Sequence, residues 1–214
     1  MIKNILKNNI FNVIHNITKG KNMSAKLKFY YSVMNAGKTT QLLQADNIYK
    51  RKGYKTLIIK PSVDDREGEC NGWGTIESRL IKENTPCLYV DEVNEKQLLE
   101  LQPDIIFVDE SQFFKREDIY RLSEIVDKNN IPVLCYGLKT DINGNLFEGS
   151  KALLALADDI KEIEQICDCG EKATIHLRYV DNKLEKEGSS VAIEKGKTTY
   201  ESVCRKCWKE RLGR

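Results

Sequence analysis

Lys26-Leu27-Lys28-Phe29-Tyr30-Tyr31-Ser32-Val33-Met34-Asn35-Ala36-Gly37-Lys38-Thr39-Thr40 runs from a strand-like alternation through a tight turn into a helix. Leu27 to Tyr31 is apolar and aromatic enough for a buried strand, and Thr39 to Arg51 keeps helical spacing until Gly53 stops it. Between them, Ser32 to Thr39 fits the phosphate-loop pattern G-x-x-x-x-G-K-[ST], with Ser32 in place of the first glycine. A phosphate chain is densely negative, and backbone N–H groups converging on a helix N-terminus meet it with donors and a positive dipole end. Gly37 lets the backbone come close, Lys38 puts an ammonium on the outer phosphates, and Thr39 offers a hydroxyl to magnesium. Chance alone can place Gly-Lys-Thr before a helix, but strand, turn and helix here all fall where the motif needs them.

Working outward, Thr56 to Lys60 reads as a buried parallel strand closed by Pro61, and Asp64 to Gly74 as a polar, glycine-rich loop. Thr85 to Val90 predicts a short strand, and Val93 to Leu101 a short helix ahead of Pro103. Asp104 to Val108 is an apolar strand ending in the carboxylates Asp109 and Glu110; Glu117 to Lys128 is an amphipathic helix, and Pro132 to Gly137 another buried strand. Strands alternating with helices imply right-handed crossovers and a parallel sheet, whose ligands sit at the carboxyl ends of the strands. Asp109 is then the natural partner of a phosphate-bound magnesium ion, and Glu110 can take a proton from an attacking hydroxyl or water. The Asp-Glu pair alone does not separate a kinase from an ATPase.

The chain has 214 residues, 41% apolar and 31% charged, with a formal net charge of +2. That describes an ordinary globular protein, gives no overall electrostatic reason to bind nucleic acid, and provides no apolar run long enough to span a bilayer. Seven cysteines, an odd number without a secretory signal, argue for a reducing compartment and against a disulfide framework. Four fall in two close pairs, Cys167-x-Cys169 and Cys204-x-x-Cys207, which suit a closed tetrahedral zinc site tying off the segment between them. Cys70, Cys87 and Cys135 read as small apolar filler. Residues 1–25, rich in Asn, Ile and Lys, are expected to be a disordered extension; a leader, or an upstream start with Met23 as the natural one, are the other readings.

The residues Tyr31 to Thr40, Asp64-Asp65-Arg66, Val108 to Phe114, Leu134 to Asp141 and Tyr200 to Cys207, in this order, resemble the type II thymidine kinases, most closely the bacterial branch. The resemblance covers roughly Lys28 to Trp208. It implies an α/β fold with a P-loop (RecA-like) parallel sheet flanked by helices at 26–160, and a small zinc-ribbon-like lasso domain at 161–214. The implied reaction is magnesium-dependent transfer of the ATP γ-phosphate to the 5′-hydroxyl of thymidine or deoxyuridine, a step of pyrimidine deoxynucleotide salvage for DNA synthesis. Carried over by position, Ser32, Val33, Met34, Asn35, Ala36, Gly37, Lys38, Thr39 and Thr40 cradle the phosphates, Thr39 and Asp109 hold magnesium, Glu110 is the base, and Arg66 lies near the phosphates. Met34, Asp64, Phe113, Leu138, Ile142, Phe147, Ile193 and Tyr200 fall at positions around the nucleoside. Zinc on Cys167, Cys169, Cys204 and Cys207 is structural. The resemblance further implies a cytoplasmic homotetramer, inhibited by the end product dTTP, with no nucleic-acid or membrane partner. Two positions depart from the pattern: Ile142 stands where phenylalanine is frequent, and Ile193 to Gly196 where a Val-Ile-Gly-Gly type of sequence often lies. Both touch the base pocket. The rival reading is a P-loop NTPase with a structural zinc module and no nucleoside acceptor.

Overall fold

The computed structural model describes residues 24–62, 72–78, 85–188 and 197–214. Six strands, β1 (Leu27–Ser32), β2 (Thr56–Pro61), β3 (Trp73–Ile76), β4 (Thr85–Val90), β5 (Ile105–Val108) and β6 (Val133–Leu138), join β7 (Asp159–Glu162) in one sheet of order β3-β4-β2-β5-β6-β1-β7. Every pairing is parallel except β3 with β4. The helices are α1 (Lys38–Arg51), α2 (Glu95–Glu100), α3 (Arg116–Asn129) and α4 (Glu148–Leu156). This is the α/β architecture expected from the alternation of strands and helices.

The strands β5 and β6 are buried at every position, as the continuous apolar runs Ile105–Val108 and Val133–Leu138 require when both faces of a parallel sheet are covered. One face packs Phe29, Ile59, Val108 and Cys135 against α3 and α4 through Ile119, Leu122, Ile125 and Leu153. The other packs Ile58, Phe107, Leu134 and Tyr136 against Leu42 and Leu43 of α1. Burying such side chains contributes about 25 cal/mol per Å² of apolar surface, so the sheet's strand ends rest on a firm base.

Beyond the sheet, β8 (Ile175–Val180), β9 (Lys183–Leu184) and β10 (Thr198–Val203) form a second, antiparallel sheet of order β10-β8-β9, followed by α5 (Arg205–Leu212). Its apolar face carries Ile175, Leu177, Val203, Trp208 and Leu212. Val33 of the loop after β1 belongs to the same cluster, which fixes the small sheet onto the phosphate loop.

Several elements differ from the sequence reading, which gives no strand over β9 or β10 and no helix over α5. The loop expected to run to Gly74 gives way at Trp73 to β3, an edge strand that needs only one partner and so carries a weak apolar signal. Helix α4 and strand β7 have no counterpart in the sequence reading; β7, Asp-Ile-Lys-Glu, is a polar edge strand whose pairing to β1 comes from backbone alone. Since β7 reaches Glu162, the large sheet runs across the division expected at 160/161.

Candidate active site

The carboxyl ends of β1, β5 and β6 lie side by side, because β6 pairs with both β1 and β5. The turn after β1 therefore opens beside the carboxylates that follow β5. Gly37 sits at φ 82°, in the left-handed region that glycine enters without cost, and caps α1. Gln41 N–H donates to Gly37 O at 3.0 Å, closing the first helical turn. Lys38 is buried, and its Nζ donates to Val33 O at 3.3 Å across the loop. Burial pushes the Lys38 pKa down, while the negative Glu110 and Asp109 hold it up. An ammonium curled back on its own loop in this way is poised to exchange a carbonyl for a phosphate oxygen.

Asp109 follows β5 directly, with its N–H donating to Ile59 O at 3.0 Å. The residue is 1% exposed. Oδ2 accepts from Thr39 Oγ1 at 3.2 Å, whereas Oδ1 is buried with no hydrogen-bond partner among the described residues. Burial, then repulsion from Glu110, pushes its pKa up to about 7, and the positive Lys60 and Lys38 limit the rise. A buried carboxylate oxygen without a partner beside a threonine hydroxyl has the donor set that a hard, oxygen-binding cation such as magnesium takes.

Glu110 is a non-glycine residue at φ 48°, where the chain leaves the strand line and turns into the 3₁₀ turn Ser111–Phe113. Two buried polar side chains hold that turn. Ser111 Oγ donates to Tyr136 O at 3.0 Å. Gln112 bridges two elements: its Nε2 donates to Glu110 Oε2 at 2.5 Å, and its Oε1 accepts from Leu138 N–H at 2.9 Å. Gly137 permits this approach, since a Cβ there would lie 2.6 Å from Ser111 Oγ and 2.8 Å from Gln112 Oε1. The sequence gives Gln112 no role of its own; an amide two residues beyond a strand-end acid pair is the signal available.

The expected nucleoside positions fall into two groups. Phe113 and Phe147 meet edge to face at 5.8 Å between ring centres, and Leu138 and Ile142 are buried at and beyond the end of β6. Met34 and Tyr200 lie on the two sides of the seam between the phosphate loop and β10. There Ser202 Oγ donates to Met34 O at 2.5 Å, and Asn35 Nδ2 donates to Tyr200 O at 3.2 Å. Trp208 Nε1 donates to Ile142 O at 3.1 Å and ties α5 to the same region. Asp64, Arg66 and Ile193 lie outside the described residues.

The four cysteines do come together. The Sγ atoms of Cys167, Cys169, Cys204 and Cys207 all lie within 4.8 Å of one another, and Cys169 Sγ is 3.7 Å from Cys204 Sγ. Sulfurs about 2.3 Å from a tetrahedral zinc ion stand about 3.8 Å apart, so the cluster fits that ion. Two backbone knuckles shape it: Gly170 N–H donates to Cys167 O at 2.8 Å, and Cys207 N–H donates to Cys204 Sγ at 3.5 Å.

The sequence matches the thymidine kinase family over residues 25–208. Relatives named thymidine kinase include those of Pasteurella multocida, 45% identical over 88% of this chain and 98% of theirs, and Haemophilus influenzae, 44% identical over 88% and 98%. That of Mesorhizobium japonicum is 43% identical over 89% of this chain and 94% of its own. With a match spanning most of its length and a phosphate loop set beside a strand-end carboxylate pair, the chain belongs to the thymidine kinase family.

Proposed function

We propose that Glu110 is the general base of this thymidine kinase. The enzyme transfers the γ-phosphate of ATP to the 5′-hydroxyl of thymidine, a step of nucleotide salvage. The observation that carries the assignment is the Gln112 bridge, which fixes the Glu110 carboxylate at the strand ends, with one oxygen held by an amide that is itself anchored on β6. In the step, Glu110 accepts the 5′-hydroxyl proton, the oxygen forms its bond to the γ-phosphorus, and the bond from that phosphorus to the bridging oxygen breaks, releasing ADP.

Lys38 and the backbone from Ser32 to Thr40 hold the phosphates. Thr39 and Asp109 hold magnesium, which when bound neutralises charge on the phosphates. Arg66 adds positive charge there, by its position in the family pattern. Phe113, Phe147, Leu138, Ile142, Met34 and Tyr200 enclose the nucleoside, with Asp64 and Ile193 assigned to it by family position. A structural zinc ion on Cys167, Cys169, Cys204 and Cys207 would tie off the small C-terminal lasso segment between the two cysteine pairs. The assembly is a cytoplasmic homotetramer inhibited by dTTP, and deoxyuridine is a second acceptor; these follow from family resemblance. Among the described residues no helix is long and apolar enough to cross a membrane.

Glu110→Gln tests the base. The amide keeps the shape and loses the proton acceptor, so turnover should fall by roughly 10²-fold or more while ATP binding, followed by calorimetry, stays within about twofold. Normal turnover in that variant overturns the assignment.

A further inference from the structure

In the antiparallel pairing of β8 with β10, His176 stands opposite Ser202, and Arg178 opposite Tyr200. Directly opposed residues share a face of the sheet, so these four side chains lie on the face away from the apolar cluster of Ile175, Leu177 and Val203. Ser202 shows where that face points: its hydroxyl donates to Met34 O of the phosphate loop. Each of the others has a visible occupation except one. Arg178 is paired with Glu185 and bonds the Tyr200 side chain. His176 is 3% exposed, its ring packs edge to face on Tyr200 at 5.7 Å, and its Nδ1 is buried with no hydrogen-bond partner among the described residues.

A buried polar nitrogen without a partner costs stability, and an apolar side chain of the same size would fill the space without that cost. It stands beside Ser202, whose hydroxyl reaches Met34 of the phosphate loop, and beside Tyr200, whose carbonyl accepts from Asn35 of the same loop. A pyrimidine ring offers carbonyl and N–H groups along its edge, and a neutral imidazole can serve either kind. We infer that His176 contacts the base of the acceptor nucleoside, bonding a polar edge group of the pyrimidine and setting selectivity among pyrimidine nucleosides. The inference rests on the thymidine kinase reading. Burial favours the neutral ring; among the charges facing it, Lys38 from α1 and Arg178 from β8 also oppose a proton, and Asp141 beyond β6 supports one.

The test is steady-state kinetics of the full chain with ATP, magnesium and a panel of thymidine, deoxyuridine and deoxycytidine. His176→Leu should raise the KM for thymidine about tenfold, the scale of one neutral hydrogen bond, with the KM for ATP and kcat within about twofold. His176→Asn, whose amide reaches the place of Nδ1, should recover most of the loss. A thymidine KM in His176→Leu within about twofold of wild type overturns the inference, since a merely structural histidine would alter only thermal stability. Should the leucine variant not fold, His176→Asn decides: a threefold or greater change in the thymidine-to-deoxyuridine kcat/KM ratio supports the contact, and an unchanged ratio overturns it. Wild-type ADP formation that does not depend on a nucleoside would instead overturn the kinase reading, and is measured first.

Discussion

The two sheets of the molecule are held by different means. The strand ends of the large sheet rest on apolar clusters on both faces, and that support keeps Lys38 and Asp109 out of water with few partners. The small sheet has one modest cluster, which borrows Val33 from the phosphate loop and includes Cys167 and Cys204. A core of that size supplies little on its own, and the four clustered sulfurs offer the proposed zinc ion a place to take up the task. The phosphate side can therefore hold strained electrostatics in place before substrates arrive. The small sheet is positioned by the bonds from Asn35 and Ser202 and by the zinc ion proposed for its four cysteines.

The sharpest way to test the first half of that contrast is Asp109→Asn. The variant keeps an acceptor for Thr39 and removes the buried charge. Turnover should fall roughly 10²–10³-fold, the scale of losing one preorganised electrostatic contact. Stability should move the other way. Because the folded pKa of Asp109 is raised to about 7, the native state holds a proton that the unfolded state releases, and stability falls as pH rises between the unfolded value of 3.8 and about 7. At pH 8, without metal or nucleotide, the asparagine variant should melt several degrees above wild type by calorimetry. Equal melting temperatures would mean that the large sheet is not bearing a cost at Asp109.

Metal removal tests the second half. Purified protein should contain about one zinc per chain; less than about half an equivalent in protein prepared without chelator would count against the four-thiolate site. Chelation should loosen the small sheet, raise the thymidine KM by roughly fivefold or more, and leave ATP binding nearly intact. A single cooperative loss of the whole structure on chelation would break the comparison, since it would make the large sheet as dependent on zinc as the small one.

The phosphate side was legible in sequence because its signals are local. Ser32 to Thr39 occupies eight consecutive positions, and an apolar run ending in Asp109 marks a strand end without any tertiary information. The cysteine cluster was legible for a similar reason, two short pairs of one residue type. What escaped depends on pairing. Strand β7 is written in polar residues, and only the backbone of β1 makes it a strand. Gln112 and His176 look ordinary until β6 brings Leu138 N–H to one, and β10 brings Tyr200 to the other. Asp109 and Thr39, seventy positions apart in sequence, meet at 3.2 Å because of the sheet order, and that distance could not be read from the motif.

The smallest expected effect separates the two sides by pH. Burial, reinforced by Lys38 and Arg178 and opposed by Asp141, pulls the His176 pKa down to about 4 from its usual 6.5. Here the unfolded state binds the extra proton, so His176 makes the fold less stable as pH falls from about 6.5 toward 4. Asp109 acts with the opposite sign over the overlapping interval, and the two cancel in part in wild type. Replacing His176 by leucine removes one of them. Between pH 7 and pH 5 the melting temperature of His176→Leu should therefore rise relative to wild type by roughly 4–8 °C, while Asp109→Asn shifts the same difference downward. Variants whose melting curves run parallel to wild type over that interval would show that neither group is held away from its ordinary titration, and the contrast between a charged phosphate side and a neutral histidine on the lasso side would have to be abandoned.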